Sequence, residues 1–117
     1  MEGASRALAY ASGLAALAAV VRVVGAGGEV LAGDDLYGGT YRLLSRLLVP
    51  QGLRVRFVDT SDVAAVAAAL SRETRLLLVE TPTNPLLRIA DLAALADLAH
   101  AQGALLAVDN SLLSPYL

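Results

Sequence analysis

Four short apolar runs punctuate the chain, each ending in a cluster of polar or turn-forming residues: Glu29-Val30-Leu31-Ala32, Arg54-Val55-Arg56-Phe57-Val58, Leu76-Leu77-Leu78-Val79 and Ala104-Leu105-Leu106-Ala107-Val108. The second alternates polar and apolar positions, as a strand with one wetter face does. The third and fourth are continuous and predict strands buried on both faces, the kind that parallel sheets use. Segments with apolar residues at helical spacing lie between them. The stretch from about Leu14 to Val24 predicts a helix with Ser12 at its N-cap, terminated by Gly25-Ala26-Gly27-Gly28. Tyr41, Leu44, Leu47 and Leu48 predict one face of a second helix, closed by Pro50-Gln51-Gly52. Val63, Val66, Ala67 and Leu70 predict the inner side of a third, capped by Asp59-Thr60-Ser61-Asp62, and Asp91 opens a fourth that Gly103 stops. Met1 to Tyr10 has no start signal and reads as the interior of a helix.

The order α-β-α-β-α-β-α-β with short connections predicts an α/β fold: a mostly parallel sheet, right-handed crossovers and helices on both faces. Residues 1–117 read as one domain cut at both ends.

Composition narrows the chemistry. The 117 residues are 56 % hydrophobic, mostly Ala, Leu and Val, with four Tyr, one Phe and no Trp. Such an apolar excess implies burial against more protein. A net charge of −2 argues against nucleic acid or an anionic membrane as partner. All nine basic residues are Arg, so any reaction needing a lysine amine must find it elsewhere. The lack of Cys excludes disulfides and thiolate metal sites, and the single His100 argues against a His-based metal site or triad. The apolar run Leu14–Val21 stops at Arg22, well short of the roughly 20 residues of a membrane span, so it reads as a core helix of a cytoplasmic protein.

In an open α/β sheet, ligands sit beyond the C-terminal ends of the strands. Three such ends carry candidate chemistry here. In Asp34-Asp35-Leu36-Tyr37-Gly38-Gly39-Thr40, Tyr37 stands in a glycine-flanked loop, either to lay its ring on a flat heterocycle or to pack on a neighbouring helix. In Glu80-Thr81-Pro82-Thr83-Asn84-Pro85, two prolines stiffen a loop that aims Asn84, whose amide both donates and accepts. Asp109 ends the last strand, followed by Asn110 and Ser111; a carboxylate there needs a cation or donors to meet it, and a protonated ring nitrogen is one such partner. Its alternative is a cap on the following turn. Gly13-Leu14, at a helix start, offers free amides and a positive dipole end to an anion such as phosphate, or is an ordinary capped helix. Gly25-Ala26-Gly27-Gly28 precedes a strand, so it is no dinucleotide fingerprint.

Taken together, Ser12-Gly13-Leu14-Ala15-Ala16, Asp35-Leu36-Tyr37-Gly38-Gly39-Thr40, Glu80-Thr81-Pro82-Thr83-Asn84-Pro85 and Val108-Asp109-Asn110-Ser111 with Ser114-Pro115-Tyr116 resemble the trans-sulfuration enzymes in order and spacing. That family holds cystathionine γ-lyase, β-lyase and γ-synthase, methionine γ-lyase and related sulfhydrylases. The resemblance covers essentially the whole chain. It implies the large domain of the aspartate-aminotransferase-like fold (fold type I) and pyridoxal 5'-phosphate as cofactor.

Carried over residue by residue, the resemblance implies that the Gly13 and Leu14 amides bind the cofactor phosphate and that Tyr37 stacks on the pyridine ring. Asp109 would pair with the ring N1–H. Asn84 would lie near the cofactor's phenolic oxygen and the substrate carboxylate, with Tyr37 also at the substrate. Ser111 stands where many relatives carry Thr, and Leu14 where Met is frequent. The implied reaction is β- or γ-elimination from cystathionine or a related sulfur amino acid, in a homo-oligomer, dimer or tetramer. The cofactor-bearing lysine of the family has no counterpart here, so no catalytic residue is assigned and the chain alone is expected to be inactive. Three alternatives stand beside a lyase: a γ-replacement enzyme (γ-synthase or O-acyl-homoserine sulfhydrylase), a non-catalytic homologue, and a receiver-like signalling domain, which would itself need a lysine.

Overall fold

Alternation along β1 decides where the helices pack. In the computed structural model, which describes residues 3–25 and 27–113, Val30 and Ala32 point to one side of the sheet and Leu31 to the other, all fully buried. The elements run α1 (Gly13–Arg22), β1 (Glu29–Gly33), α2 (Gly38–Arg42), β2 (Arg54–Val58), α3 (Val63–Ala69), β3 (Thr74–Glu80), α4 (Leu92–Ala101) and β4 (Leu105–Asp109). The strands form one parallel sheet in the order β2-β1-β3-β4.

Val21 of α1 and Leu44 and Leu48 beyond α2 join Val30, Ala32, Leu76 and Leu78 in the core on one face. On the other, Val66 of α3 and Leu95 and Ala99 of α4 meet Leu31, Leu77 and Val79. The chain therefore leaves β1 for one face through α2 and leaves β3 for the opposite face through α4. Neighbouring strands whose connections diverge in this way open a crevice at their C-terminal ends.

Local chemistry accounts for the ends. Ser12, Asp62 and Asp91 cap α1, α3 and α4 by accepting first-turn amides. After Arg22 the chain tightens into i→i−3 bonds from Val23, Val24 and Gly25, so the first helix ends earlier than its apolar run. Gly52, at φ 95°, takes the left-handed conformation that closes the turn before β2.

Four expectations change. Residues 3–10 form no helix and lie exposed, because they carry neither a cap nor an apolar face toward the sheet. Beyond α2 the helix widens into i→i+5 turns over Leu43–Leu48, which keeps Leu44 and Leu48 inward and turns Leu47 out; Tyr41 instead meets Phe57, ring centroids 5.4 Å apart, at the β2 edge. In α3, Ala67 is exposed and Ala69 packs inward in its place. β4 is an edge strand: it pairs only with β3 among the described residues, and Leu105 is 54 % exposed, so burial on both faces does not hold within this chain. Ser114-Pro115-Tyr116 lies outside the described residues.

Candidate functional site

The N-terminus of α1, the loops after β1 and β3, and the end of β4 surround a cavity of about 370 Å³. Gly13, Leu14, Tyr37, Asn84, Asp109 and Ser111 all line it, together with Ser12, Leu17, Glu80 and Leu112. Every candidate residue of the sequence thus comes to one place, at the crevice between strands with diverging connections.

At one wall, Ser12 is extended (φ −158°, ψ 159°), and its hydroxyl accepts the Ala15 N–H at 3.2 Å. Its carbonyl accepts the Ala16 N–H at 3.1 Å. The Gly13 and Leu14 amides find no hydrogen-bond partner among the described residues. Two free donors at the positive end of a ten-residue helix make an anion-seeking corner.

Tyr37 precedes α2, and its N–H donates to Glu80 Oε2 at 2.9 Å. Its ring lies over Gly39, where a Cβ would stand 2.4 Å from Tyr37 Cε1 and 3.2 Å from Leu14 Cδ1. Glycine at 39 makes room for the ring. Asn84 sits in a loop clamped to the loop of Tyr37. Thr83 Oγ1 donates to Asp35 Oδ2 at 2.5 Å, and the Leu86 N–H donates to the same oxygen at 3.1 Å. Arg88 braces the loop from below, with Nη1 3.0 Å from Asp59 and 3.7 Å from Asp34. The Thr81–Pro82 and Asn84–Pro85 peptide bonds are both cis.

Asp109 Oδ1 accepts the Ser111 N–H at 3.0 Å and the Ser111 hydroxyl at 2.5 Å. Oδ2 has no partner among the described residues. The Ser111 hydroxyl is therefore turned to Asp109, which it orients, and one carboxylate oxygen is left for the cavity. Glu80 was not among the candidates, yet it lines the cavity and stands in register with Asp109 across the β3–β4 pair. Burial pushes its carboxyl above the usual glutamate range and the nearby Asp109 and Asp35 add to that, while the Tyr37 and Asn84 amides pull the other way. The sign that could have found it is the one that marked Asp109: a carboxylate ending a buried strand.

Residues 1–117 match the family described as Cys/Met metabolism PLP-dependent enzyme. The chain belongs to this family. Among relatives of the Cys/Met metabolism enzymes, it is 47 % identical over 117 residues to a chloroplastic cystathionine β-lyase of Mimosa pudica, covering 100 % of this chain and 26 % of the relative. It is 46 % identical over 115 residues to a cystathionine γ-lyase of Dictyostelium discoideum, covering 98 % and 30 %. With a probable cystathionine γ-synthase of Herpetosiphon aurantiacus it shares 47 % over 116 residues, covering 99 % and 36 %. The crystal structure of cystathionine γ-lyase from Lactobacillus plantarum complexed with L-serine superposes with a TM-score of 0.88 at 47 % identity, over 92 % of this chain and 28 % of that one. The chain thus spans about a quarter to a third of the length of these relatives.

The family is PLP-dependent, and the donor set fits that cofactor. Free amides at a helix N-terminus suit a phosphate, a carboxylate oxygen without a partner suits a protonated ring nitrogen, and a Tyr ring suits the flat face between them. Among the described residues no group of His, Asp and Glu is arranged to hold a metal ion, and no helix is long and apolar enough to cross a membrane.

Proposed function

We propose that this chain forms part of the cofactor-binding domain of a pyridoxal-phosphate carbon–sulfur lyase acting on cystathionine or a related sulfur amino acid. The observation that carries the reading is convergence: Gly13 and Leu14 with their free amides, Tyr37, and Asp109 with its free Oδ2 line one cavity. When bound, pyridoxal phosphate supplies an electron sink that stabilises negative charge at the substrate's α-carbon.

The protein's part is to hold and polarise. Gly13 and Leu14 donate their amides to the phosphate, with the helix dipole behind them. Tyr37 covers one face of the pyridine ring. Asp109 keeps a proton on the ring nitrogen, and Ser111 acts through Asp109 by fixing its carboxylate. Asn84, aimed by its clamped loop, serves the phenolic oxygen and the substrate carboxylate. None of the 117 residues is Lys, so the amine that carries the cofactor and moves the α-proton is supplied by protein outside them, and the chain alone is inactive. The complete enzyme works as a homo-oligomer in the cytoplasm.

A γ-replacement transferase is the neighbouring reading, since lyase and synthase relatives stand at the same 46–47 % identity. A second is a non-catalytic homologue that binds no cofactor, a reading that rests on the lack of Lys among these residues. Dialysis of the purified chain against pyridoxal phosphate tests the binding. Retention by the chain and its loss in Asp109→Asn is the expected result, and no retention by the unaltered chain overturns the proposal. Thiol release from cystathionine by the chain alone would overturn the inactivity.

A further inference from the structure

Glu80 has no part in the reading above, and its surroundings give it one. It ends β3 at 5 % exposure, and its Oε2 takes the Tyr37 N–H, a bond between segments 43 positions apart in sequence. Tyr37 is the N-cap of α2 but makes no side-chain cap bond, so its backbone is tied down through this amide while its ring lies over Gly39. A buried carboxylate is costly unless donors or a cation meet it. Among the described residues no cation pairs with Glu80. The charged groups facing it are acids: Asp109 from β4 and Asp35 from the loop after β1. From α1 the cavity receives only Ser12, Gly13, Leu14 and Leu17, none of which titrates.

The geometry points to Glu80 as a positioning residue: it holds the Tyr37 loop over the cavity by the backbone amide and ties that hold to the charge beside Asp109. With nothing positive in the cavity, burial and the two neighbouring acids hold its carboxyl above the usual glutamate range, against the Tyr37 and Asn84 amides, which pull it down. A cation brought to Asp109 offsets the like charge. Glu80 then ionises at a lower pH than before, and its anion grips the Tyr37 N–H more strongly than the acid does, because charge-assisted hydrogen bonds are the stronger ones. Ligand arrival at Asp109 thereby tightens the hold on the Tyr37 backbone at pH values between the two midpoints. This coupling rests on the proposed function only in taking the cation to be the cofactor's ring N–H.

The test follows the Tyr37 amide of the purified chain by NMR shift and hydrogen exchange across pH, without and with pyridoxal phosphate, using β1 and β3 amides as the folded control. Without cofactor, the amide should titrate with a midpoint above that of an exposed glutamate, and cofactor should move the midpoint down. Glu80→Gln keeps an acceptor, so the amide should stay protected but lose its pH dependence. Glu80→Ala should exchange at least about tenfold faster at Tyr37. A Tyr37 amide that ignores pH in the unaltered chain overturns the proposal even if Glu80→Ala fails to fold. Equal protection in all three proteins overturns it too. Cofactor retention is read separately by dialysis: if none is retained, the proposed function fails while the pH profile and the Gln rescue still decide the positioning role. Retention with an unmoved midpoint overturns the coupling.

Discussion

Arg56 grips the buried carboxylate of Glu29 side-on, Nη2 to Oε1 at 2.7 Å and Nε to Oε2 at 2.9 Å, at the end of the sheet away from the cavity. Thr74 Oγ1 adds a bond to Oε1 at 2.7 Å, and Arg56 Nη2 also reaches the Ala69 carbonyl at 2.6 Å. One network thereby joins β1, β2, β3 and the end of α3. The Arg56 hydrogen bonds hold the Glu29 carboxyl below the usual glutamate range, against the opposing effect of burial. A carboxyl held lower in the folded than in the unfolded chain stabilises the fold above its unfolded value. That stability fades as pH falls through the folded one. Arg56→Met should therefore cost about 1–3 kcal/mol near neutrality, the upper end being reduced because Arg56 is half exposed. Urea titrations should show the cost shrinking below about pH 4.5, the ordinary glutamate value, as pH falls through the lower one that Glu29 has in the folded chain.

Gly13 allows a substitution that removes one amide and little else. Proline is tolerated at the first position of a helix, and the extended Ser12 before it suits a proline neighbour. Nothing lies within 4 Å of a Cβ there. Gly13→Pro should keep helix content by circular dichroism yet weaken retention of pyridoxal phosphate and of inorganic phosphate about tenfold, the loss of one charge-assisted bond. Unchanged phosphate affinity would remove Gly13 from the anion corner.

Gly39 carries the opposite expectation, since its Cβ would collide with the Tyr37 ring at 2.4 Å. Alanine favours helix, so Gly39→Ala should melt no earlier than the parent protein. The ring must move instead, changing Tyr37 fluorescence and lowering cofactor retention. If both stay as in the parent, the ring was never seated on Gly39.

Pattern alone carried most of this architecture because buried parallel strands announce themselves by composition. Leu76–Val79 and the capped starts at Ser12, Asp62 and Asp91 follow directly from such rules. Other features depend on neighbours that no local window contains. β4 has an apolar sequence yet lies at the edge of the described sheet, since strand order is a property of the whole chain. The widened turns at Leu43–Leu48 change which leucines face inward without changing their spacing. Among the site residues, Asp109 stood out as a charge at the end of an apolar run, and Glu80 met the same description. It lay inside a motif whose prolines and Asn84 drew the functional reading. Only the register Glu80↔Asp109 makes the two acids a pair.

The open side of β4 bears on handling. Leu105 and Val108 on that strand and Val20 and Val23 on and just beyond α1 are exposed and apolar. Apolar surface of this kind associates. The isolated chain should therefore show concentration-dependent mass by light scattering, reduced by Leu105→Glu. A monodisperse monomer at all concentrations would mean that β4 is not the site of association.

Asp109 offers the sharpest test of the site. It is made in an enzyme assembled from this chain and the remainder of a cystathionine γ-lyase relative. Asp109→Asn keeps size and shape, and the Ser111 bonds to Oδ1 have an acceptor in the amide oxygen, so the fold should hold. What is lost is the negative charge at the free oxygen, and with it, on the proposed role, the group that keeps the cofactor's ring nitrogen protonated. Turnover should fall by at least about a hundredfold, roughly 3 kcal/mol in the barrier. Cofactor affinity should fall as well, because a charge-assisted bond becomes a neutral one. Tyr37→Phe is the control: the ring remains, so retention should change little. Near-normal turnover in Asp109→Asn would reduce Asp109 to a turn former whose work is to hold Ser111.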